Sequence, residues 1–158
     1  LTANYKIGST TLRGEYIFGT EPGQATSDGT PLTLGNDIYT RKFNGLYAYL
    51  VQTFTHQVKG QSISHDLVLK YDWFDPNTQV KGKDLSTLND AKAGIADVKF
   101  QTIGAGYVFR PADYVKLMLY YDLVLNEKTN LTGFTNDIHD NVFTLRTQFT
   151  FDSKWFNK

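Results

Sequence analysis

The chain contains no cysteine. That excludes a disulfide scaffold and any thiolate metal centre. Neither sign of charge is in excess: 16 Lys and Arg face 16 Asp and Glu. A basic footprint is therefore missing, and nucleic acid is not an expected partner. Although 41% of residues are hydrophobic, no apolar run approaches the ~18 residues of a transmembrane helix. Residues 1–20 lack the charged start and apolar stretch of a signal peptide, so the expectation is a mature, truncated or cytosolic chain. What is abundant is aromatic: 10 Tyr, 11 Phe and 2 Trp among 158 residues, enough chain for one domain with a core.

The pattern of those residues has a period of two. In "DNVFTLRTQFTF" (140–151), Phe143, Leu145, Thr147, Phe149 and Phe151 share one parity, and Val142, Thr144, Arg146, Gln148 and Thr150 the other. Alternation of this kind marks a β-strand with one oily and one wet side. The same holds for "YVKLMLYYDLVLN" (114–126), where Val115, Leu117, Leu119, Tyr121, Leu123 and Leu125 oppose Lys116, Met118, Tyr120, Asp122, Val124 and Asn126. It holds again in "TLRGEYIFG" (11–19), "LVLKYDWF" (67–74) and "QTIGAGYVFR" (101–110). Only "FNGLYAYLVQTF" (43–54) is apolar on both parities, which leaves its register open. Seven strands are predicted, near 2–7, 10–20, 42–56, 61–74, 98–110, 114–126 and 140–152, with no helix beyond one turn within 84–97.

The connections alternate. Those after strands 1, 3 and 5 are short ("IGST", "HQVKGQ", "RPADY"), whereas those after strands 2, 4 and 6 are long and polar. Tight turns at one end and large loops at the other are the habit of an outer-membrane barrel, and two of the long loops exceed what compact soluble domains usually carry. Strands of ten or more residues, tilted near 45°, span roughly 23–25 Å, the height of such a barrel's apolar band. On this reading the apolar parity faces lipid, and Tyr71, Trp73, Tyr107, Phe109, Tyr121, Phe149 and Phe151 form an aromatic girdle. The opposite reading is a soluble lipocalin-like barrel with the apolar parity lining a ligand cavity. A third is a structural anchor barrel within an outer-membrane complex.

Four stretches, "TLRGEYIFG", "KYDWFDPNT", "IGAGYVFRPADYVKLMLYYD" and "FTLRTQFTF", together resemble the carboxyl-terminal part of the phosphate-selective porin O and P family. The resemblance covers about residues 10–151. It implies an antiparallel up-and-down transmembrane β-barrel in the outer membrane of a Gram-negative cell, passing small hydrophilic or anionic solutes. It further implies a homotrimer or larger membrane complex, and a terminal strand read by the barrel-assembly machinery. Residues 1–158 would be one barrel segment. Seven strands cannot close a single-chain bacterial barrel, whose count is even, so either one further strand makes a small barrel or these strands belong to a larger one. The resemblance favours the latter. The tail "DSKWFNK" runs on past Phe151, beyond the point where the terminal strand of the family stops.

Chemistry-bearing motifs are scarce. There is no G-x-S-x-G, H-E-x-x-H or Walker loop, and "GAG" at 104–106 reads as inward strand glycines. His56, His65 and His139 lie far apart in sequence, and Ser64 beside His65 faces the other way. No enzymatic activity, cofactor or metal is expected. Asp75, Asn77 and Asp84 in the second long loop match no Ca²⁺-binding pattern. The candidate pore-lining residues are Arg13, Glu15, Lys70, Asp72, Arg110, Lys116, Asp122 and Arg146. Five of the eight are basic, a weak lean toward anions. Ion pairing across a wet wall is the plainer role for them.

Overall fold

A computed structural model of the chain describes residues 1–24, 38–85, 94–138 and 140–151; the tail at 152–158 and His139 lie outside them. Seven strands form one antiparallel sheet in sequence order: β1 (Thr2–Ile7), β2 (Thr10–Gln24), β3 (Ile38–Val58), β4 (Gln61–Asp75), β5 (Phe100–Ala112), β6 (Val115–Asn126) and β7 (Val142–Phe149). The predicted strands are all present, and among the described residues helical structure is confined to single 3₁₀ turns at Gly82–Asp84 and Ile95–Asp97; residues 86–93, within the stretch expected to hold one helical turn, lie outside them. The sheet is open. Among the described residues β1 pairs only with β2 and β7 only with β6, and both edge strands are exposed along their whole length.

The alternation of connections is also present. β1–β2, β3–β4 and β5–β6 are joined by Gly8–Ser9, Lys59–Gly60 and Asp113–Tyr114, whereas β4–β5 and β6–β7 are joined by long segments. In the β3–β4 turn Lys59 (φ 49°) and Gly60 (φ 81°) are both left-handed, the primed-turn geometry whose twist matches that of the flanking strands. The three short turns therefore lie at one end of the sheet, and the β4–β5 and β6–β7 connections at the other.

Register divides the sheet into two faces. Rows such as Leu12–Leu50–Leu69–Ala105–Tyr121–Phe143 and Gln52–Leu67–Tyr107–Leu119–Leu145 run straight across neighbouring strands on the apolar face. This resolves β3: Leu46, Ala48 and Leu50 join the apolar face, while Tyr47, Tyr49 and Val51 join the polar one. β3 is ambiguous in sequence because tyrosine, oily in body and polar at its tip, serves on a wet surface as well as on a dry one.

Burial runs against the habit of soluble proteins. Leu67, Leu69, Ile103, Phe143 and Leu145 on the apolar face are 51%, 57%, 50%, 65% and 69% exposed. The small cluster of buried residues (Val68, Val108 and Met118, flanked by Tyr49, Val51 and Tyr120) lies on the face that carries the charges. Side chains crowd on the inside of a curved surface and spread on the outside, so the sheet curls toward its polar face.

Candidate functional site: the polar wall

Three successive cross-strand rows build the half of the wall nearer the loops. Nearest the loop end, Ile17, Gly45, Phe74 and Phe100 stand side by side; below them come Glu15, Tyr47, Asp72 and Thr102; below those, Arg13, Tyr49, Lys70, Gly104 and Asp122. Glycine placement makes these rows fit. A methyl on Gly104 would stand 2.3 Å from Asp122 Oδ1 and 3.1 Å from Lys70 Cε, and one on Gly45 would stand 2.9 Å from the Phe74 ring. "GAG" thus serves as inward strand glycines, each making room for a larger cross-strand neighbour.

All eight candidate wall residues fall on this face, but they are not equivalent. Lys70 Nζ sits between two carboxylates, 3.2 Å from Asp72 Oδ2 and 3.1 Å from Asp122 Oδ1. Arg110 Nη2 lies 2.7 Å from Asp66 Oδ2. Thr53 Oγ1 donates to Asp66 at 2.9 Å, and Arg110 Nη1 donates to Ser64 Oγ at 3.4 Å. Among the described residues, Arg13, Glu15, Lys116 and Arg146 make no ion pair. The eight thus comprise Lys70, Asp72, Asp122 and Arg110, which are paired, and four charges that are not. Asp66 belongs to the same wall: it lies one position before 67–74 and shares the parity of Val68 and Lys70. It is the most buried acid of the wall, at 6% exposure.

Aromatic rings also line the wall. Phe74 bridges Phe43 (centroids 6.2 Å apart) and Phe100 (5.8 Å), and Tyr47 meets Tyr49 edge-on at 5.6 Å. Beside them lies a groove of about 340 Å³ lined by Glu15, Ile17, Gly45, Tyr47, Asp72 and Phe74, among others.

The aromatic girdle residues Tyr71, Trp73, Tyr107, Phe109, Tyr121 and Phe149 share the apolar face. Tyr71 and Trp73 lie toward the loops, Phe109 and Phe149 toward the turns, and Tyr121 near the middle of β6 opposite Ala105. Phe151 stands two residues beyond β7 and is exposed. His56 and His65, nine positions apart, come together because the Lys59–Gly60 turn folds β4 onto β3. Their rings stack at 5.1 Å, and His65 also stacks on Phe109 at 5.0 Å and meets the Tyr107 hydroxyl. Ser64 and His65 point to opposite faces, as their adjacency in a strand requires.

At the loop end, two long connections brace one another. Asp97, fully enclosed, takes Arg41 Nε at 2.9 Å, Asn77 Nδ2 at 3.0 Å and the Gly94 amide at 2.7 Å. Asn130 N donates to Leu85 O at 3.0 Å and Gly82 N to Glu127 Oε1 at 3.0 Å, with Leu85 and Leu131 buried beneath. Asn77 is therefore a donor within a polar core, Asp75 accepts the Asn77 amide at 3.1 Å, and Asp84 is exposed. Among the described residues no group of three or more His, Cys, Asp or Glu side chains is disposed to hold a metal ion.

Comparison with protein-family models, with curated proteins and with solved structures yields no match.

Proposed function

We propose that the sheet is one arc of a transmembrane β-barrel in the outer membrane of a Gram-negative cell, and that its polar face lines a water-filled passage for small hydrophilic solutes. One observation carries this reading. The continuous leucine and aromatic face is the more exposed one, and Lys70, Asp72, Asp122, Arg110 and Asp66 on the opposite face are partly or fully covered. Monomeric soluble proteins rarely leave so extended an apolar surface to water, whereas a barrel in lipid requires it. A lipocalin-like binding protein would need the reverse arrangement, with the leucines on the inside of the curve.

The open edges agree. Unpaired strand edges have no partners in hydrocarbon and are avoided there, so β1 and β7 would each pair with further strands of the completed barrel. Unpaired Arg13, Lys116 and Arg146 against unpaired Glu15 give the wall a modest basic excess, which favours anions weakly through its summed field.

Extraction and conductance test the proposal together. The native protein should need detergent to leave the membrane, run at a heat-modifiable position on gels, and open steady channels in planar bilayers. A protein that stays monodisperse in plain buffer sinks the membrane reading. One that needs detergent but carries no current is an anchor barrel instead.

A further inference from the structure

We infer that the groove on the polar face is a binding subsite for small organic cations with a flat apolar body, the chemistry of an aryl amidinium or aryl ammonium ion. The inference rests on the reading of the polar face as the water-filled side, but not on the passage of solutes along it.

The groove borders Gly45, which stands between Ile17 and Phe74 in the row nearest the loops and is covered by the Phe74 ring. Its side walls are apolar: Ile17, Phe74 and the ring of Tyr47. Its polar groups are two carboxylates, Glu15 and Asp72, which flank Tyr47 directly in register on either side. No basic side chain lines it.

Charge decides the class of ligand. Lys70 is shared between Asp72 and Asp122, so that cluster of three keeps one negative charge. Glu15 adds a second, with no cation paired to it among the described residues. Arg13, the nearest unpaired cation, lies one row further from the loops, opposite Tyr49. An anion in the groove would meet two carboxylates, of which only Asp72 is balanced, by Lys70 at 3.2 Å. A neutral sugar could stack on the rings but would leave the charge of Glu15 unused. A planar cation satisfies both features: its charge is held by Glu15 and Asp72 through charge-assisted hydrogen bonds, and its flat body lies against Tyr47 and Phe74, where the ring faces attract positive charge. The carboxylates and the ring between them occupy one straight row, so a single small ligand can reach all three.

Titration calorimetry of the full-length, detergent-solubilised protein with benzamidine tests this, with benzoate and glucose as controls. Benzamidine should bind and the two controls should not. Glu15→Gln should weaken binding about tenfold, the value of one charge-assisted hydrogen bond. Tyr47→Leu should weaken it while Tyr47→Phe retains it, and heat-modifiable migration identifies any variant that has not folded. Benzoate binding as tightly as benzamidine, or benzamidine binding unchanged in both Glu15→Gln and Tyr47→Leu, would overturn the inference. Conductance of the same preparation separates the two readings. A protein that binds benzamidine without conducting keeps the groove and loses the pore, and one that conducts without binding loses only the groove.

Discussion

The ring of Tyr120 lies across Gly106, so close that a methyl on the glycine would stand 2.2 Å from Tyr120 Cε1 and 2.3 Å from Cδ1. The two residues are direct cross-strand neighbours, and Phe74 covers Gly45 in the same manner two strands away. Large rings laid over glycines let a strongly curved wall be filled without collision, and they pin register. Gly106→Ala should therefore cost about 1–3 kcal/mol by overpacking. In the Tyr120→Ala background the same change should cost far less, so a double-mutant cycle in urea unfolding from micelles would read a clear coupling. Additive costs would show that the ring does not depend on the glycine.

The two faces should respond oppositely to charge. Leu145 pairs with Leu119 on the apolar face, while Thr144 pairs with Tyr120 on the polar one. An Arg at position 145 is expected to cost ~2–4 kcal/mol if it lies near the bilayer midplane, and at position 144 close to nothing. Unfolding from lipid vesicles would measure both. Equal damage at the two positions would mean that neither face meets lipid.

Strand number, order and the alternation of turns and loops were all legible in the sequence, because each follows from local signals: period-two patterning, Gly-containing turns and polar connections. The faces of β2, β4, β5, β6 and β7 were legible for the same reason, and so all eight wall charges were assigned to one face. What the sequence hid depends on pairing between strands. Whether Lys70 is balanced by one carboxylate or two is decided by the β4–β5–β6 register, which also brings Gly104 beside it. The face of β3 was hidden by Tyr47 and Tyr49. The His56–His65 stack needs a diagonal contact across a hairpin, which linear spacing does not reveal. The Arg41–Asp97–Asn77 knot joins residues separated by up to 56 positions, in segments with no periodic pattern to extrapolate.

Lys59 offers a test of the turn geometry. Its φ of 49° is the only left-handed value at a non-glycine position among the described residues, and a side chain there costs roughly 1–2 kcal/mol relative to the right-handed region. Asparagine tolerates this conformation better. Lys59→Asn should stabilise the protein by about 0.5–1 kcal/mol, visible as a raised urea midpoint with unchanged slope. Gly60→Ala should act in the opposite direction.

Asp97 ties the β4–β5 loop to β3 through Arg41 and to Asn77, with its side chain wholly enclosed. Asp97→Asn keeps the shape but leaves the Arg41 guanidinium without its carboxylate at this contact. Loss of one member of a buried pair costs about 3–5 kcal/mol. Here the cost should appear as local opening of the loop, since the strands below are held by their own ladders. Limited proteolysis would then cut within 76–99 at much lower protease concentration, while heat-modifiable migration stays normal.

The wall charges should differ in effect according to whether they are paired. Lys70→Gln would leave Asp72 and Asp122 on the polar face with no cation between them. Lys116 and Arg146 have no acid within ion-pair distance among the described residues, so removing them subtracts positive charge without exposing a carboxylate. Water screens each site over about a Debye length, ~8 Å at physiological salt, which keeps single effects small and local. If the polar face lines the proposed passage, the triple change Lys70→Gln, Lys116→Gln and Arg146→Gln should move selectivity toward cations without unfolding the protein, and Lys70→Gln alone should supply the largest share. Reversal potentials of the full-length pore under a salt gradient would measure the shift. A ratio unmoved by the triple change would place the selective constriction outside these seven strands. A single Lys116→Gln that outweighs Lys70→Gln would show that the paired ammonium is not exposed to permeating ions.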